Sequence, residues 1–230
     1  MVDLVPGASI IFDVGANVGQ TARTYRQLYP EAEIYSFEPF PESYAALSNA
    51  FKSDKRFHPV ELALSDEIST RTMFLCAGSV TNSLLRRENR TGDTIEVQTE
   101  TIDHFYERSS IPRIDILKID AEGAEMKILE GARSMFVRGL VRGVFLEVYF
   151  EPVYEGMPLM WDLNAHLQSR GFKLYGLYSL SRGSTGCLSY GNALYRQVSW
   201  GGEDAQAGKS RRSPGGLVEG RFLPAFLRIS

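Results

Sequence analysis

"IIFDVGANVGQ", residues 10 to 20, opens with a β-branched run around one aspartate and continues with two glycines four positions apart. The run Ile10 to Val14 is short, apolar and closed by glycine, which is the pattern of a buried strand rather than a helix. Gly15 and Gly19 free the backbone to turn. From Val18 onward, Ala22, Tyr25, Leu28 and Tyr29 recur at helical spacing until Pro30 stops the pattern. The unit is therefore strand, glycine turn, helix. In an open α/β sheet such a turn lies at the carboxyl end of the strand, where ligands bind and a helix N-terminus offers unpaired N–H groups.

Residue spacing narrows the ligand. A P-loop needs Lys and then Ser or Thr after its second glycine, whereas Gln20 and Thr21 follow Gly19 here. A dinucleotide turn, GxGxxG, needs glycines where this chain has Asn17 and Gln20. Asparagine can adopt positive φ, but its side chain crowds a pyrophosphate. A ligand with a ribose and no phosphate fits better. "EIYSFEPFP" (33 to 41) reads as a second strand, Glu33 to Phe37, closed by Glu38 and two prolines. Glu38 stands 23 positions after Gly15, where a carboxylate accepts ribose hydroxyls and disfavours a 2′-phosphate. The plain alternative is a solvated glutamate at a strand end.

The stretches "FDVGANVGQ" (12 to 20), "SFEPFP" (36 to 41), "ALSD" (63 to 66), "TETIDHF" (99 to 105) and "ILKIDAEGAEMKILEGA" (116 to 132) follow one another in order. With them the chain resembles the FkbM-type S-adenosylmethionine-dependent methyltransferases across residues 10 to about 196. The last stretch is the most specific; the glycine turn alone is weak. The resemblance implies an α/β, Rossmann-like class I methyltransferase fold: a mostly parallel seven-stranded sheet with helices on both faces and an antiparallel insertion. It implies S-adenosyl-L-methionine as cofactor. Asp13 and the loop residues Gly15, Ala16, Asn17 and Gly19 would hold its amino-acid end, Glu38 its ribose, and Leu64 would flank its adenine. Asp13 has a plain alternative as the residue that ties down the turn.

The rest of the chain agrees with one such domain over residues 1–197. A chain of 230 residues is one large α/β domain or two small ones, and no internal repeat appears. Residues 41 to 52 read as a helix and "FHPVELALS" (57 to 65) as a third strand. "TRTMFLC" (70 to 76) and "TIEVQTETI" (94 to 102) alternate polar and apolar residues like half-exposed antiparallel strands around a polar loop. "IDILKI" (114 to 119) and "VRGVFLEVYF" (141 to 150) supply the fourth and fifth strands. A helix at 160 to 169 and strands at 172 to 178 and 192 to 197 complete the sheet, with the strand order taken from the resemblance. Residues 198–230 are glycine-, serine- and charge-rich before an apolar end, "RFLPAFLRIS", and read as a flexible tail.

Net charge of −3 and a pI near 5.7 give no general attraction to nucleic acid or anionic lipid. Cys76 and Cys187 lack metal spacing and read as reduced thiols. "MVDLVPGAS" has neither the positive segment nor the apolar core of a secretory signal, and no apolar run approaches about 18 residues. The expected location is cytoplasmic, with no nucleic-acid or membrane partner.

Methyl transfer needs donor and nucleophile held in line and water excluded, with no nucleophilic side chain. The candidates on the acceptor side are acidic. Asp120 and Glu122 close the fourth strand, where a carboxylate can contact the cofactor or take a hydroxyl proton. The competing reading makes Asp120, Glu122 and Glu125 complements to the N-terminus of a helix running from near Gly123 to Gly131. Clustered carboxylates also suit a divalent metal, but one short acidic run does not carry that reading and no metal is expected. Glu147, inside the fifth strand, is a second acceptor-side candidate, with Tyr149, Phe150 and Tyr154 as lining or core; His58, His104 and His166 read as structural or surface groups. The expected activity is O-methylation of a small-molecule or sugar hydroxyl, chosen by loop 77 to 93 and segment 150 to 162. The alternatives are an NAD-dependent oxidoreductase and a catalytically silent nucleoside-binding protein.

Overall fold

The computed structural model describes residues 5–75, 82–86 and 92–198. Cys76, much of the polar loop 77 to 93 and all of the expected tail after Val198 lie outside the described residues. Strands β1 (Ile10–Val14), β2 (Glu33–Phe37) and β3 (Phe57–Val60) alternate with helices α1 (Gln20–Leu28) and α2 (Pro41–Ala50). Then come β4 (Ala63–Leu64), β5 (Ser69–Phe74), β6 (Thr94–Glu100) and α3 (Ile102–Ser109). The chain continues through β7 (Ile114–Ile119), α4 (Glu125–Glu130), α5 (Arg133–Val137), β8 (Val141–Tyr149), α6 (Met160–Gln168), β9 (Phe172–Arg182) and β10 (Leu188–Gln197). The seven-stranded sheet runs β3-β2-β1-β7-β8-β10-β9. Its first five strands are parallel, while β10 is antiparallel to both β8 and β9. The order reverses between β1 and β7, so the carboxyl ends of these two strands open a crevice.

Strand alternation divides the core into two layers. Phe12, Val14, Phe37, Leu117 and Ile119 face α3 to α6, whereas Ile11, Ile34 and Ile116 pack with Ala22 and Tyr25 of α1 and Leu47 of α2. Helices therefore cover both faces of the parallel part.

Of the expected boundaries that move, β9 runs on to Arg182 and β10 starts early at Leu188, beyond the expected 172 to 178 and 192 to 197, and three others move for a clear local reason. The third strand does not run to residue 65. Leu62 N donates to Val60 O, a tight turn that ends β3, and Ala63–Leu64 then pair with β6 in a separate sheet ordered β4-β6-β5. The strand expected to reach Ile102 stops at Glu100 because Thr101 becomes the N-cap of α3, its Oγ1 accepting from His104 N at 3.1 Å. Thr101→Ala is expected to destabilise the protein by about 1 kcal/mol in urea unfolding. The helix expected from Gly123 to Gly131 begins only at Glu125 and is followed by a second one, α5. Asp103 of α3 makes that break stable, because its carboxylate accepts from Ser134 N and Met135 N at the start of α5.

Candidate active site

The crevice is a cleft of about 250 Å³ whose lining includes Gly15, Ala16, Asn17, Glu38, Leu64, Asp120, Glu122 and Glu147. Its glycine turn is held from both sides. Gly15 N and Ala16 N both donate to Phe37 O of β2, and Asp120 N, just after β7, donates to Val14 O. Gly15 has φ +73°, and a Cβ there would lie 1.8 Å from the carbonyl oxygen of Asp120. No other residue fits that crossing.

Glu38 does more than face the cleft. Its Oε2 accepts from Asn17 N at 2.8 Å and its Oε1 from Phe40 N at 2.9 Å, so the carboxylate braces the turn, with Asn17 at φ +47°. Burial raises the Glu38 pKa, and the two backbone N–H groups work against that rise. Each oxygen keeps a further lone pair for a hydroxyl donor. Leu62, Ala63, Leu64 and Met73 add an apolar patch to the same cleft.

Two expected cofactor residues stand apart from it. Gly19 is the left-handed N-cap of α1, and a Cβ on it would meet Phe51 and Leu47, so it serves the packing of α1 on α2. Asp13 is fully buried beneath the turn, where it pairs with Lys118 Nζ at 3.1 Å. Neither belongs to the cleft lining.

The acidic residues form a wall. Glu122 adopts φ +51°, a strained conformation for a non-glycine residue, and is fastened there: Ser83 Oγ donates to its carbonyl, and Tyr154 OH lies 2.5 Å from its Oε2. Tyr149 OH lies 2.7 Å from Glu147 Oε2 and 3.2 Å from Glu122 Oε2, so one phenol bridges the two carboxyl groups. Burial, with Asp120 and Glu122 nearby, pushes the Glu147 carboxyl up to about 9, so it is protonated at neutral pH. The same burial and the flanking Glu147 and Glu122 raise the Tyr149 phenol as well. Oxygens of Asp120, Glu122 and Glu147 lie within 4.8 Å of one another, a spacing that could also hold a cation.

Glu125 has a different task. It is 1% exposed, and its Oε1 folds back to accept from Ala121 N and Gly123 N, which fits the helix-terminus reading. The three histidines lie outside the cleft lining. The sequence pointed to Asp120, Glu122 and Glu147 but gave Lys118 no role. A lysine inside the apolar run "IDILKI" was the available signal.

Residues 13–174 match the family described as the methyltransferase FkbM domain. The chain belongs to that family. It is accordingly an S-adenosylmethionine-dependent methyltransferase, and the oxidoreductase alternative falls. The chain is 25% identical over 166 residues to the 2-O-methyltransferase NoeI of Sinorhizobium fredii, covering 65% of this chain and 68% of that one. It is 28% identical over 163 residues to the 31-O-demethyl-FK506 methyltransferase FkbM of Streptomyces tacrolimicus, covering 58% and 62%. A crystal structure of methyltransferase FkbM from Methylobacillus flagellatus superposes with a TM-score of 0.55 at 14% identity. That likeness covers 83% of this chain and 43% of the other, and it supports the Rossmann-like fold. Among the described residues, no helix is long and apolar enough to cross a membrane.

Proposed function

We propose that this protein moves the methyl group of S-adenosylmethionine to a hydroxyl oxygen of a small molecule or sugar. The supporting observation is that one cleft carries Glu38 beside the glycine turn together with the acidic wall of Asp120 and Glu122. When bound, the cofactor supplies a methyl already activated on a sulfonium. Glu38 and the backbone of residues 15 to 17 would hold its nucleoside and amino-acid parts, and the apolar patch around Leu64 would take the adenine.

Transfer breaks the sulfur–methyl bond, forms an oxygen–methyl bond and releases the hydroxyl proton. In this reading Asp120, about 43% exposed and facing the cleft, receives that proton. Glu122, engaged by two tyrosines, orients the acceptor rather than acting as the base. Two of the relatives described above are named for transfer at oxygen, which favours a hydroxyl acceptor.

Thermal shift against S-adenosylhomocysteine and NAD is the first test, with stabilisation expected from the former alone. Because both oxygens of Glu38 brace the turn, Glu38→Gln, which keeps one acceptor, disturbs it less than alanine, which removes both. Loss of one charged hydrogen bond of about 1.5 kcal/mol or more is expected to weaken S-adenosylhomocysteine about tenfold or more by calorimetry. Unchanged affinity in a folded Glu38→Gln protein refutes the ribose assignment. Release of labelled methyl to hydroxylated metabolites, lost in Asp120→Asn, tests the proton transfer.

A further inference from the structure

The proposed chemistry leaves one buried charge of the site without a task. Lys118 stands in register with Asp13 on the α1 face of the sheet and is 4% exposed. Its Nζ donates to Gly15 O at 3.1 Å and Val14 O at 3.3 Å, pairs with Asp13 Oδ1 at 3.1 Å and lies 3.6 Å from Asp120 Oδ2. Burial favours the neutral amine, but Asp13 and Asp120 outweigh it and lift the Lys118 pKa, so the group remains an ammonium. Among the described residues, by contrast, none donates a hydrogen bond to the Asp13 carboxylate beyond this ion pair.

A counter-ion for Asp13 would need only one of those four contacts. The other three reach the glycine turn and the acidic wall, which come from different strands. We infer that Lys118 is a positioning residue that fixes the glycine turn relative to Asp120, and so holds the cofactor side of the cleft in register with the proton-accepting side. This inference rests on the proposed function for what the two sides do; the pinning itself is a property of the chain.

Lys118→Met alone leaves a buried carboxylate uncompensated and is expected to fold poorly. The informative pair is Asp13→Asn against Asp13→Asn/Lys118→Met, since once residue 13 is neutral a mere counter-ion becomes dispensable. Both proteins are expected to fold with similar Tm. The double variant is expected to bind S-adenosylhomocysteine at least tenfold more weakly than Asp13→Asn by calorimetry. The amides of Gly15 and Ala16 should also exchange with deuterium at least tenfold faster in it. Equal affinity and equal exchange in the two proteins would overturn the inference and leave Lys118 as a counter-ion. If the wild type fails to bind S-adenosylhomocysteine, the proposed function falls, and the exchange comparison alone decides whether Lys118 pins the turn.

Discussion

Gly15→Ala is expected to cost the protein more than about 3 kcal/mol of stability and to abolish measurable binding of S-adenosylhomocysteine, a much larger effect than a glycine-to-alanine change normally has. The left-handed φ of +73° accounts for only about 1 kcal/mol of this. The remainder is steric. A Cβ at Gly15 lies 1.8 Å from the carbonyl oxygen of Asp120, and that obstacle is backbone, which cannot rotate away as a side chain would. Nor can the two segments part freely, because Asp120 N is bonded to Val14 O and the turn is bonded to Phe37 O on the other side. Gly7→Ala is the control. Gly7 has φ +66°, and a Cβ added there would meet nothing within 4 Å, so it should show the conformational cost alone. Denaturant unfolding of the two variants and nucleoside titration of each check the prediction. A Gly15→Ala protein with the stability of Gly7→Ala and wild-type affinity would mean that the crossing of β1 and β7 does not shape the cleft.

The same crossing separates what local sequence records from what it does not. The apolar run before Gly15 and the helical period after Val18 are local patterns, so strand, turn and helix were legible from residues 10 to 29 alone. The partner of Gly15 was not, because Asp120 is 105 positions away and nothing local records which two loops touch. Glu38 illustrates the intermediate case: its distance from Gly15 placed it at the cleft, yet its bonds to Asn17 N and Phe40 N depend on how the turn curls back. Asp13 and Gly19 sit inside the recognisable motif and still lie off the cleft, since alternation along β1 turns Asp13 toward α1, while Gly19 is used up in packing against Leu47 and Phe51. A motif marks a segment; only the packing assigns each side chain a direction.

The acidic wall leads to the second large effect: Glu147→Gln is expected to make the protein more stable at pH 8 by roughly 2 to 4 kcal/mol, with the advantage vanishing near pH 4.5. The sign follows from proton binding. Glu147 titrates near 4.5 when unfolded and is pushed up to about 9 in the folded cleft, first by burial and then by Asp120, Glu122 and Glu125. Between those values the unfolded chain has released a proton that the native state still holds, so wild-type stability falls as pH rises, by at most about 1.4 kcal/mol per unit. Glutamine carries no such proton and can still accept from Tyr149 OH. Glu125, raised to about 7 by burial, adds a slope of the same sign below pH 7, and it persists in the variant. The difference between the two proteins, measured by urea unfolding at pH 5 and pH 8, therefore isolates residue 147. A gap that does not widen with pH would place the Glu147 carboxyl in ordinary solvent and remove it from the wall. A gap that widens as expected, in a variant that also loses methyl transfer, would make the cleft a place where stability is given up to keep three carboxyl groups beside the acceptor.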